Sequence, residues 1–356
     1  MDLSFYKGKR VLVTGHTGFK GSWLIVLLNT LGAKVCGFSL APETSPALYN
    51  ILRGDSFCES HIGDIADISK LGAVFDRFRP EIVIHLAAQP LVLEGYERPV
   101  YTYLTNVMGT VNVLECARQS DSVKSILNVT TDKVYKNVEQ NKGYRESDEL
   151  CGYDPYSNSK SCSELVTYSY ACSFLKGKGI AVSTARAGNV IGGGDFSANR
   201  IVPDCVRAAT EKSCLRLRNP FSVRPYQHVL EPLVAYLTIA ALQYTNAKYA
   251  GNYNIGPDRN DCVTTEQLVK MFKESWGPGF AYEASVIKDA PHEAGLLLLD
   301  NTKLKQTFGI YPVWNISQAI QKTVEWTKAY LEGEDMVAVI QGQIDAFLKD
   351  GKNGRI

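Results

Sequence analysis

The chain has 356 residues, of which 45% are hydrophobic, and its 38 Lys and Arg residues nearly balance 37 Asp and Glu residues. The net charge of +1, without a long block of like charge, excludes nucleic acid or an anionic membrane as a bulk partner. The nine cysteines and five histidines have neither disulfide-framework nor zinc-site spacing. We therefore expect a cytoplasmic globular protein of about two domains, with no metal site, signal peptide or membrane span.

The first half of the chain repeats a buried strand followed by an amphipathic helix. Short apolar runs such as RVLVT, AKVCGF, EIVIHLA and KSILNVTT are separated by helical stretches. This alternation predicts an α/β fold in which a Rossmann-type, doubly wound parallel sheet is covered by helices on both faces. The pattern ends after GIAVSTARAGNVIG, so we predict the sheet domain over residues 1–188 and a smaller α/β domain over residues 189–356. A strand near residues 251–256 is a candidate to rejoin the first sheet.

A glycine-rich turn follows the first predicted strand, in VLVTGHTGFKGSWL at residues 11–24. Gly15 allows the tight turn, Gly18 lets a pyrophosphate approach the backbone, and Gly21 lets the next helix pack closely on the sheet. This spacing between strand and helix predicts dinucleotide binding, and a turn that simply needs glycine is the alternative. Lys20 is predicted to be either a neighbour of the diphosphate or a solvent-facing cation.

The segment after the second predicted strand bears on which dinucleotide is bound. Ser39 stands where an acidic residue usually holds the adenosine ribose, so we expect a loosely held cofactor. Residues 35–52 contain no Lys or Arg to meet a 2′-phosphate, which favours NAD over NADP. Asp64, in GDI after the next strand, is predicted either to face the adenosine or to cap a helix.

The decisive pattern is YSNSK, residues 156–160, in a helical stretch after Pro155. Tyr156 and Lys160 are one helical turn apart, so the phenol and the ammonium share one face and the cation can lower the pKa of the phenol. The pair follows VTTDKVY at the end of the fifth predicted strand, where a doubly wound sheet carries its reactive residues. We predict a catalytic Tyr/Lys pair rather than two surface side chains.

Nearly the whole chain resembles the extended short-chain dehydrogenase/reductase family, and within it the nucleotide-sugar 4,6-dehydratases. The motifs that carry the resemblance occur in the family's order: GHTGFKGSWL, HLAAQPLV, TNVMGT, TTDKVY, YSNSK, ARAGNVIGGGD, RPYQHVLEPL and PHEAGLLLLD. HTGFKGSWL, TDKVY and RPYQHVLEPL point to the branch that acts on CDP-glucose. In QPLVLEGYERP, Leu93 and Glu94 follow a motif that often precedes a basic residue, which leaves the local substrate contacts open.

The resemblance implies conversion of CDP-D-glucose to CDP-4-keto-6-deoxy-D-glucose and water, in deoxysugar biosynthesis of the O-antigen (lipopolysaccharide) type. Tyr156 would take the proton of the sugar 4-hydroxyl while the C4 hydride moves to NAD, and Lys160 would hold the phenolate and the nicotinamide ribose. C5 then loses a proton, water leaves C6, and the hydride returns to C6. By resemblance Asp132 is the acid, Lys133 the base, and Thr131 a hydrogen-bond partner of the 4-oxygen. A lysine that acts as a base must be neutral.

Together, the glycine turn and the resemblance assign residues to cofactor and substrate. Besides Tyr156 and Lys160, the expected cofactor-binding residues are Gly15, His16, Thr17, Gly18, Phe19, Lys20, Gly21, Asp64, Ile65, Leu86, Ala87, Ala88 and Asn106. The expected substrate-binding residues are Gln89, Asn189, Arg200, Arg216, Arg224, His292 and Glu293. Arg224 is expected to bind the diphosphate as a bidentate donor, whereas His228 is expected to pack or cap. The implied assembly is a homodimer, with a tetramer as the alternative.

Two other functions remain open. A UDP-sugar 4-epimerase would share the glycine turn and the Tyr/Lys pair but would not need Asp132 or Lys133 for elimination. A non-catalytic NAD-sensing module on the same fold would not need the Tyr/Lys pair at all. A 4-keto product that absorbs in strong alkali separates a dehydratase from an epimerase.

Overall fold

The computed structural model describes residues 3–217, 219–284 and 295–353 of the chain. Strands and helices alternate through its first half. The strands are β1 Arg10–Thr14, β2 Lys34–Ser39, β3 Glu59–Ile62, β4 Ile82–His85, β5 Ser125–Thr131, β6 Ala181–Ala187, β7 Val190–Ile191, β8 Cys214–Leu217, β9 Val223–Arg224, β10 Gln227–His228, β11 Asn252–Ile255, β12 Val263–Thr264 and β13 Ala281–Ala284. The helices are α1 Phe19–Thr30, α2 Leu48–Ile51, α3 Ile68–Phe78, α4 Val92–Glu97, α5 Pro99–Tyr103, α6 Gly109–Gln119, α7 Pro155–Tyr170, α8 Ile201–Thr210, α9 Leu230–Thr245, α10 Thr265–Trp276, α11 Thr302–Phe308, α12 Ile316–Glu332 and α13 Met336–Asn353.

Seven strands form one sheet in the order β11-β6-β5-β4-β1-β2-β3, and every neighbouring pair is parallel. The strand order reverses between β1 and β4. Ligands of such sheets bind in the crevice outside the carboxyl ends of the strands at this reversal. The predicted doubly wound α/β fold is confirmed, and the sheet receives its seventh strand, β11, from the second half of the chain.

The central strands of the sheet are buried on both faces, which explains why buried and exposed residues do not alternate along them. Every residue of β4, β5 and β6 is buried. Helices α1, α9 and α13 supply the apolar side chains on one face, and α3 and α6 supply them on the other. The sheet is therefore held in place by apolar clusters on both faces.

A third apolar cluster lies in the second half of the chain. It joins α8, α10 and α12 to the short strand β8, with Leu217, Leu268, Phe272 and Ile320 among its buried members. Because α9 and α13 from this half pack on the sheet, the boundary between residues 188 and 189 stays a prediction. No helix within the described residues combines the length and the apolar character that a bilayer crossing requires.

Candidate active site

An open cleft of about 1440 Å³ runs along the carboxyl ends of the strands. Its walls include residues that end or directly follow β1, β2, β3, β4, β5 and β6, such as Gly15, Ser39, Gly63, Leu86 and Thr131. Both the glycine turn and the Tyr/Lys helix contribute to this one cleft. The two patterns that the sequence singles out are thus parts of a single site.

A side chain is excluded for a different reason at each of the three glycines of the turn. Gly15 has φ +78°, and a Cβ atom there would lie 2.7 Å from the backbone nitrogen of Ala87. A Cβ atom on Gly21 would lie only 2.1 Å from the carbonyl oxygen of Gly15, so helix α1 can approach the turn only without a side chain. Gly18 is exposed in the cleft wall, and a Cβ atom on it would meet nothing closer than 3.5 Å. A side chain at Gly18 would instead occupy the space of a ligand.

The start of α1 offers a site for an anion. Its N-cap residue, Gly18, supplies no side-chain hydrogen bond, and first-turn N–H groups have no partner within a helix. Lys20 lines the cleft rather than the outer surface, and burial followed by the charge of Arg200 lowers its pKa to about 8. Free N–H groups, the positive helix end and a cation suit a diphosphate, so these residues fit the dinucleotide that the spacing predicts.

The cleft beside β2 has a hydroxyl pair in place of the usual acidic residue. Thr17 donates from Oγ1 to the carbonyl oxygen of Leu40 at 2.8 Å, so the 2.8 Å contact between Thr17 Oγ1 and Ser39 Oγ has Ser39 as donor. Asp64 lines the cleft and accepts from the N–H of Ala66 at 2.9 Å. Helix α3 is capped by a different residue, Asp67, so the cap predicted as the alternative for Asp64 is wrong. Four further predicted residues line this part of the site: Ile65, Leu86, Ala87 and Ala88.

The side chain of His16 does not reach the cleft. Its ring is fully buried, places Nε2 2.8 Å from Ser60 Oγ and packs edge-on against Tyr49. The ring occupies a space that Gly37 leaves on β2, since a Cβ atom there would lie 2.3 Å from it. Burial lowers the pKa of His16 to about 4, so the ring is neutral. A cofactor-binding role for this residue is left to its backbone and stays a prediction.

The side chains of two other predicted residues, Gln89 and Asn106, form hydrogen bonds with other residues of the protein. Asn106 accepts from the backbone N–H of Gln89 at 2.9 Å and donates to its carbonyl oxygen and to Ser159 Oγ. Gln89 donates to Thr102 Oγ1 and accepts from the N–H of Leu91. Neither side chain lines the cleft, so direct contact with cofactor or substrate would require these bonds to break.

Helix α7 brings Tyr156 and Lys160 to the cleft. It begins at Pro155, and Asp154 caps it by accepting from the N–H of Ser157 at 3.0 Å. Both catalytic candidates are buried and line the cleft. The ammonium of Lys160 donates to the carbonyl oxygen of Val129 on β5 at 3.2 Å. This bond fixes the helix against the strand that carries the other candidate catalytic residues.

The electrostatics of the pair differ from the sequence-based expectation. Burial raises the pKa of Tyr156 to about 12, and a hydrogen bond with Thr131 only partly opposes it. Burial and the charge of Lys20 lower the pKa of Lys160 to about 8. The expected depression of the phenol's pKa by Lys160 is therefore wrong for the protein alone, because removal of phenolate from water outweighs a cation directed at Val129.

The remaining catalytic candidates lie on a 3₁₀ turn, Asp132–Val134, which we call the elimination turn. Thr131 ends β5, donates from Oγ1 to Asp132 Oδ1 at 2.9 Å and accepts from the N–H of Lys133 at 3.3 Å. Asp132 is 2% exposed, and within the described residues its Oδ2 has no hydrogen-bond partner. Burial raises the pKa of this carboxyl, although Lys133 opposes the shift. Lys133 itself is half-buried in the cleft wall.

Cationic side chains line the far part of the cleft. Arg224, on β9, is 3% exposed, and its Nη1 donates to the carbonyl oxygens of Val223 and Gly295. Arg200 donates to Asp195 at 3.0 Å, and Arg216 lies on β8 with an exposed side chain 3.7 Å from Glu283. Asn189 also lines the cleft. The structure thus brings four predicted substrate residues together, whereas His292 and Glu293 lie outside the described residues.

Sequence reasoning missed partners of the predicted residues. Asp195, which holds Arg200, is the last residue of the motif ARAGNVIGGGD, and its position before the arginine was a usable signal. Near the departure from the family pattern, Glu94 on α4 lines the cleft and accepts from Arg98 at 3.0 Å, so a cation does lie directly after this helix. His228 packs between Trp23 and Trp314 and accepts from the N–H of Leu230, as expected of a packed and capping residue.

Comparison with known proteins decides the family. The chain matches the family described as GDP-mannose 4,6 dehydratase over residues 12–323. It belongs to this family, within the extended short-chain dehydrogenases/reductases. A curated member, the CDP-glucose 4,6-dehydratase of Salmonella typhimurium, is 44% identical, and the alignment covers 98% of each chain. The probable dTDP-glucose 4,6-dehydratase of Sinorhizobium fredii is 28% identical, over 91% of this chain and 93% of the relative.

Solved structures of similar proteins have the same fold. The UDP-glucose 4-epimerase of Thermus thermophilus in complex with NAD superposes with a TM-score of 0.77 at 26% identity, covering 90% of this chain and 99% of the epimerase. The dTDP-glucose 4,6-dehydratase of Bacillus anthracis in complex with NAD superposes with a TM-score of 0.75 at 22% identity, covering 93% and 100%. Across the part of our chain with described coordinates, no three His, Cys, Asp or Glu side chains are grouped to hold a metal ion.

Proposed function

We propose that this protein is an NAD-dependent CDP-glucose 4,6-dehydratase, a hydro-lyase that forms CDP-4-keto-6-deoxy-D-glucose. The observation that carries the proposal is the 44% identity with such an enzyme across 98% of both chains. The geometry supports it, because the elimination turn and the Tyr156/Lys160 pair line the same cleft. An oxidoreductase that never eliminates water has no use for the buried acid Asp132.

The residues of the glycine turn fit NAD. Gly15, Gly18 and the start of α1 would hold the diphosphate, while Ser39 and Asp64 line the side expected to take the adenosine. Bound NAD would supply reversible two-electron oxidation, drawing hydride from C4 of the sugar and giving it back at C6. Every other step in our proposal is proton transfer, binding or exclusion of water by residues of the chain.

In the oxidative half of the reaction, Tyr156 would take the proton of the sugar 4-hydroxyl. The nearby cationic Arg200 favours the phenolate. Positive charge brought in by the cofactor would favour it further, which explains how a phenol with a pKa of about 12 in the protein alone can serve as base. Lys160, whose ammonium donates to the carbonyl oxygen of Val129, would hold the phenol and the cofactor ribose in fixed positions.

In the elimination half, Asp132 would donate a proton to the departing 6-hydroxyl. A general acid must be protonated at neutral pH, and burial raises the pKa of this carboxyl in that direction. Its unpartnered Oδ2 is the oxygen available to a substrate hydroxyl. Lys133, next along the turn and in the cleft wall, would remove the C5 proton, which the 4-ketone makes more acidic. Arg224, Arg200 and Arg216 would bind the substrate diphosphate.

A UDP-sugar 4-epimerase is the second candidate, because an epimerase of this fold superposes over 90% of the chain. Epimerisation at C4 needs oxidation and reduction at one carbon but no acid for a leaving hydroxyl. The arrangement of Thr131, Asp132 and Lys133 therefore favours the dehydratase. A non-catalytic NAD-sensing module is the least supported function, because it would not place a buried Tyr/Lys pair in the cleft.

Three substrates distinguish these functions. The purified protein is incubated with NAD and with CDP-, UDP- or dTDP-glucose, and the products are identified by absorbance in strong alkali, by mass spectrometry and by chromatography that separates sugar epimers. We expect a product about 18 mass units lighter than the substrate, as loss of water requires, from CDP-glucose. UDP-galactose formed from UDP-glucose would instead show an epimerase. NADH that accumulates in proportion to product would contradict the closed redox cycle.

We also propose that the protein acts as a homodimer in the cytoplasm and supplies a deoxysugar precursor of the O-antigen type. Large apolar side chains are exposed on α5, α7 and the segments that follow them: Val100, Leu104, Leu165, Tyr168 and Phe174. Helices α5 and α7 pack on each other, so these residues belong to neighbouring surfaces. Light scattering should give twice the chain mass, and the charged substitution Leu165→Asp should shift the protein toward monomer.

A further inference from the structure

A buried ion pair lies behind the cleft, between helix α7 and the sheet. Arg186 on β6 and Glu164 on α7 are 1% and 3% exposed. The arginine donates from Nε and Nη2 to the two carboxylate oxygens at 3.0 and 2.9 Å. Thr130 Oγ1 and Thr184 Oγ1 donate to the same two oxygens, at 2.5 and 2.7 Å. Four hydrogen bonds therefore fix this carboxylate in one orientation.

The other side of the guanidinium faces the elimination turn. Arg186 Nη1 donates to the hydroxyl of Tyr135 at 2.9 Å, and that hydroxyl donates to Asn254 Oδ1 at 2.7 Å. Tyr135 directly follows the turn and is itself 1% exposed. The same Nη1 donates to the carbonyl oxygen of Glu146, on the segment between the turn and α7. The guanidinium thus binds α7 through Nε and Nη2, and through Nη1 it binds residues that follow the elimination turn.

The register of the sheet places the hydrogen bonds of Arg186 next to the carboxyl end of β5, where Thr131 lies. Thr130 pairs with Arg186, and Arg186 pairs with Asn254, so the three residues form a row across β5, β6 and β11. The residue after Thr130 is the candidate catalytic Thr131. Glu164 lies one helical turn after Lys160 on α7. Each half of the candidate active site is therefore one residue or one helical turn away from the ion pair.

The energy of a buried ion pair argues for positioning rather than for stability. Removing two charges from water costs several kcal/mol per ion, and apolar residues of similar size often stabilise such a site equally well. Directional bonds are what the apolar alternative lacks. Tyr135 would retain its stacking on Tyr144, with ring centroids 5.2 Å apart, without any hydroxyl at all. Its hydroxyl matters only as the link between Arg186 and Asn254.

We infer that Arg186 is a positioning residue that sets the elimination turn against helix α7, through Tyr135 on one side and Glu164 on the other. The inference rests on the proposed dehydratase function, because only elimination requires Asp132 and Lys133 to be aligned with a sugar that Tyr156 has oxidised. Loosening the Tyr135 side should therefore slow elimination more than oxidation. Loosening the whole guanidinium should slow both steps.

The variant Tyr135→Phe removes the hydroxyl and keeps the stacked ring. With CDP-glucose in deuterated water, we expect incorporation of deuterium at C5 to slow about tenfold relative to the formation of bound NADH. Tyr6→Phe is the matched control. Tyr6 precedes β1, is fully buried, and donates one hydrogen bond from its hydroxyl to the carbonyl oxygen of Leu237. The control should leave the ratio of the two rates unchanged even where it lowers the melting temperature.

Amide hydrogen exchange tests the same inference without cofactor or substrate. In Tyr135→Phe, peptides that cover residues 132–136 and 144–151 should exchange faster, because the N–H of Cys151 donates to Val134 and that of Lys136 donates to Glu149. The exchange rate of peptides from α1 should be unchanged.

The variant Arg186→Lys keeps the charge but cannot hydrogen-bond Glu164, Tyr135 and Glu146 at once, so we expect slower oxidation and slower C5 exchange together. If Arg186→Lys does not fold, the results for Tyr135→Phe alone test the inference.

The outcomes separate this inference from the proposed function. Equal slowing of oxidation and C5 exchange in Tyr135→Phe, or no slowing, together with unchanged amide exchange, would overturn the positioning role. A wild-type protein that makes no 4-keto product from CDP-glucose would overturn the proposed function instead. The amide exchange result judges the link between Arg186 and the turn in either case.

Discussion

The two halves of the candidate active site differ in how completely they are withdrawn from water. The oxidative half, Tyr156 and Lys160, is buried on a long helix, and burial is the main cause of both pKa shifts. The elimination half lies on a three-residue turn, with a buried acid, Asp132, next to a half-buried amine, Lys133. The oxidative pair is thus prepared mainly by desolvation, whereas the elimination pair places one group inside and one at the border of the cleft.

This difference suggests a division of labour. A buried phenol resists ionisation until the charges of substrate and cofactor arrive, so oxidation waits for a complete complex. The half-buried Lys133 borders the cleft, whereas burial raises the pKa of the Asp132 carboxyl and so favours its protonated form. Substitutions in the two halves should therefore have separable effects on oxidation and elimination.

Tyr156→Phe should abolish the oxidative half, because the phenol is the proposed base for the 4-hydroxyl. We expect turnover to fall by about 10² to 10⁴, the range of general-base catalysis, with nucleotide-sugar binding nearly intact. Steady-state kinetics and calorimetric binding measure the two effects. Tyr311→Phe, which changes an exposed tyrosine that follows α11, should leave turnover unchanged. Near wild-type turnover in Tyr156→Phe would refute the assignment of the whole site.

Asp132→Asn should affect only the elimination half. The amide matches the carboxyl in size but has no proton to give, so we expect turnover to fall by about 10² to 10³. Oxidation should persist, because Tyr156 and Lys160 are untouched. Substrate addition should therefore produce a stable absorbance of enzyme-bound NADH. A variant that loses this absorbance together with turnover would show that the two halves cannot be separated.

Lys133→Met tests the amine at the border of the cleft. If Lys133 is the base that removes the C5 proton, we expect about a 10²-fold slower exchange of that hydrogen with deuterated water. Oxidation of C4 should again persist. Lys136→Met, three residues later and exposed, is the control and should exchange C5 normally. Exchange at the wild-type rate in Lys133→Met would assign proton removal to another group.

Lys160→Met should reveal the cost of burying the oxidative half. The pKa of Lys160 is about 8 in the folded protein against an ordinary value of 10.5, so the unfolded chain binds more protons between these values and stability rises with pH across them. The variant lacks this penalty but loses the bond to Val129, so we expect a net gain of about 2 kcal/mol in the free energy of unfolding at pH 7. Urea denaturation should show the gain shrinking from pH 8 to 10.5, and a constant gain would contradict the assignment.

The sequence was sufficient for the scaffold because periodicity reports burial. The helix expected after the glycine turn is observed at Phe19–Thr30, and the predicted parallel sheet is observed as well. The steric demands at Gly15 and Gly21 were also readable, since glycines at this spacing between a strand and a helix serve a tight turn and close packing.

Side-chain direction was harder to predict. The glycine turn and the resemblance assign His16, Gln89 and Asn106 to cofactor and substrate, but only packing decides that their side chains turn inward toward Ser60, Thr102 and Ser159. The electrostatics of Tyr156 were missed for a related reason. The distance along a helix predicts that Lys160 is near, whereas the desolvation that dominates the phenol's pKa depends on residues from several distant segments.

Strand β11 has a consequence for the way the protein is made. It borders β6 and supplies Asn254, so the edge of the sheet stays open until residue 255 has left the ribosome. Until then β6 offers a row of unpaired backbone groups to any neighbouring extended chain. A fragment that stops at residue 188 would keep this open edge permanently, and we expect it to associate with copies of itself. Expression of one half of the chain is therefore a poor route to an isolated cofactor-binding unit, whereas the two halves produced together could restore the seventh strand.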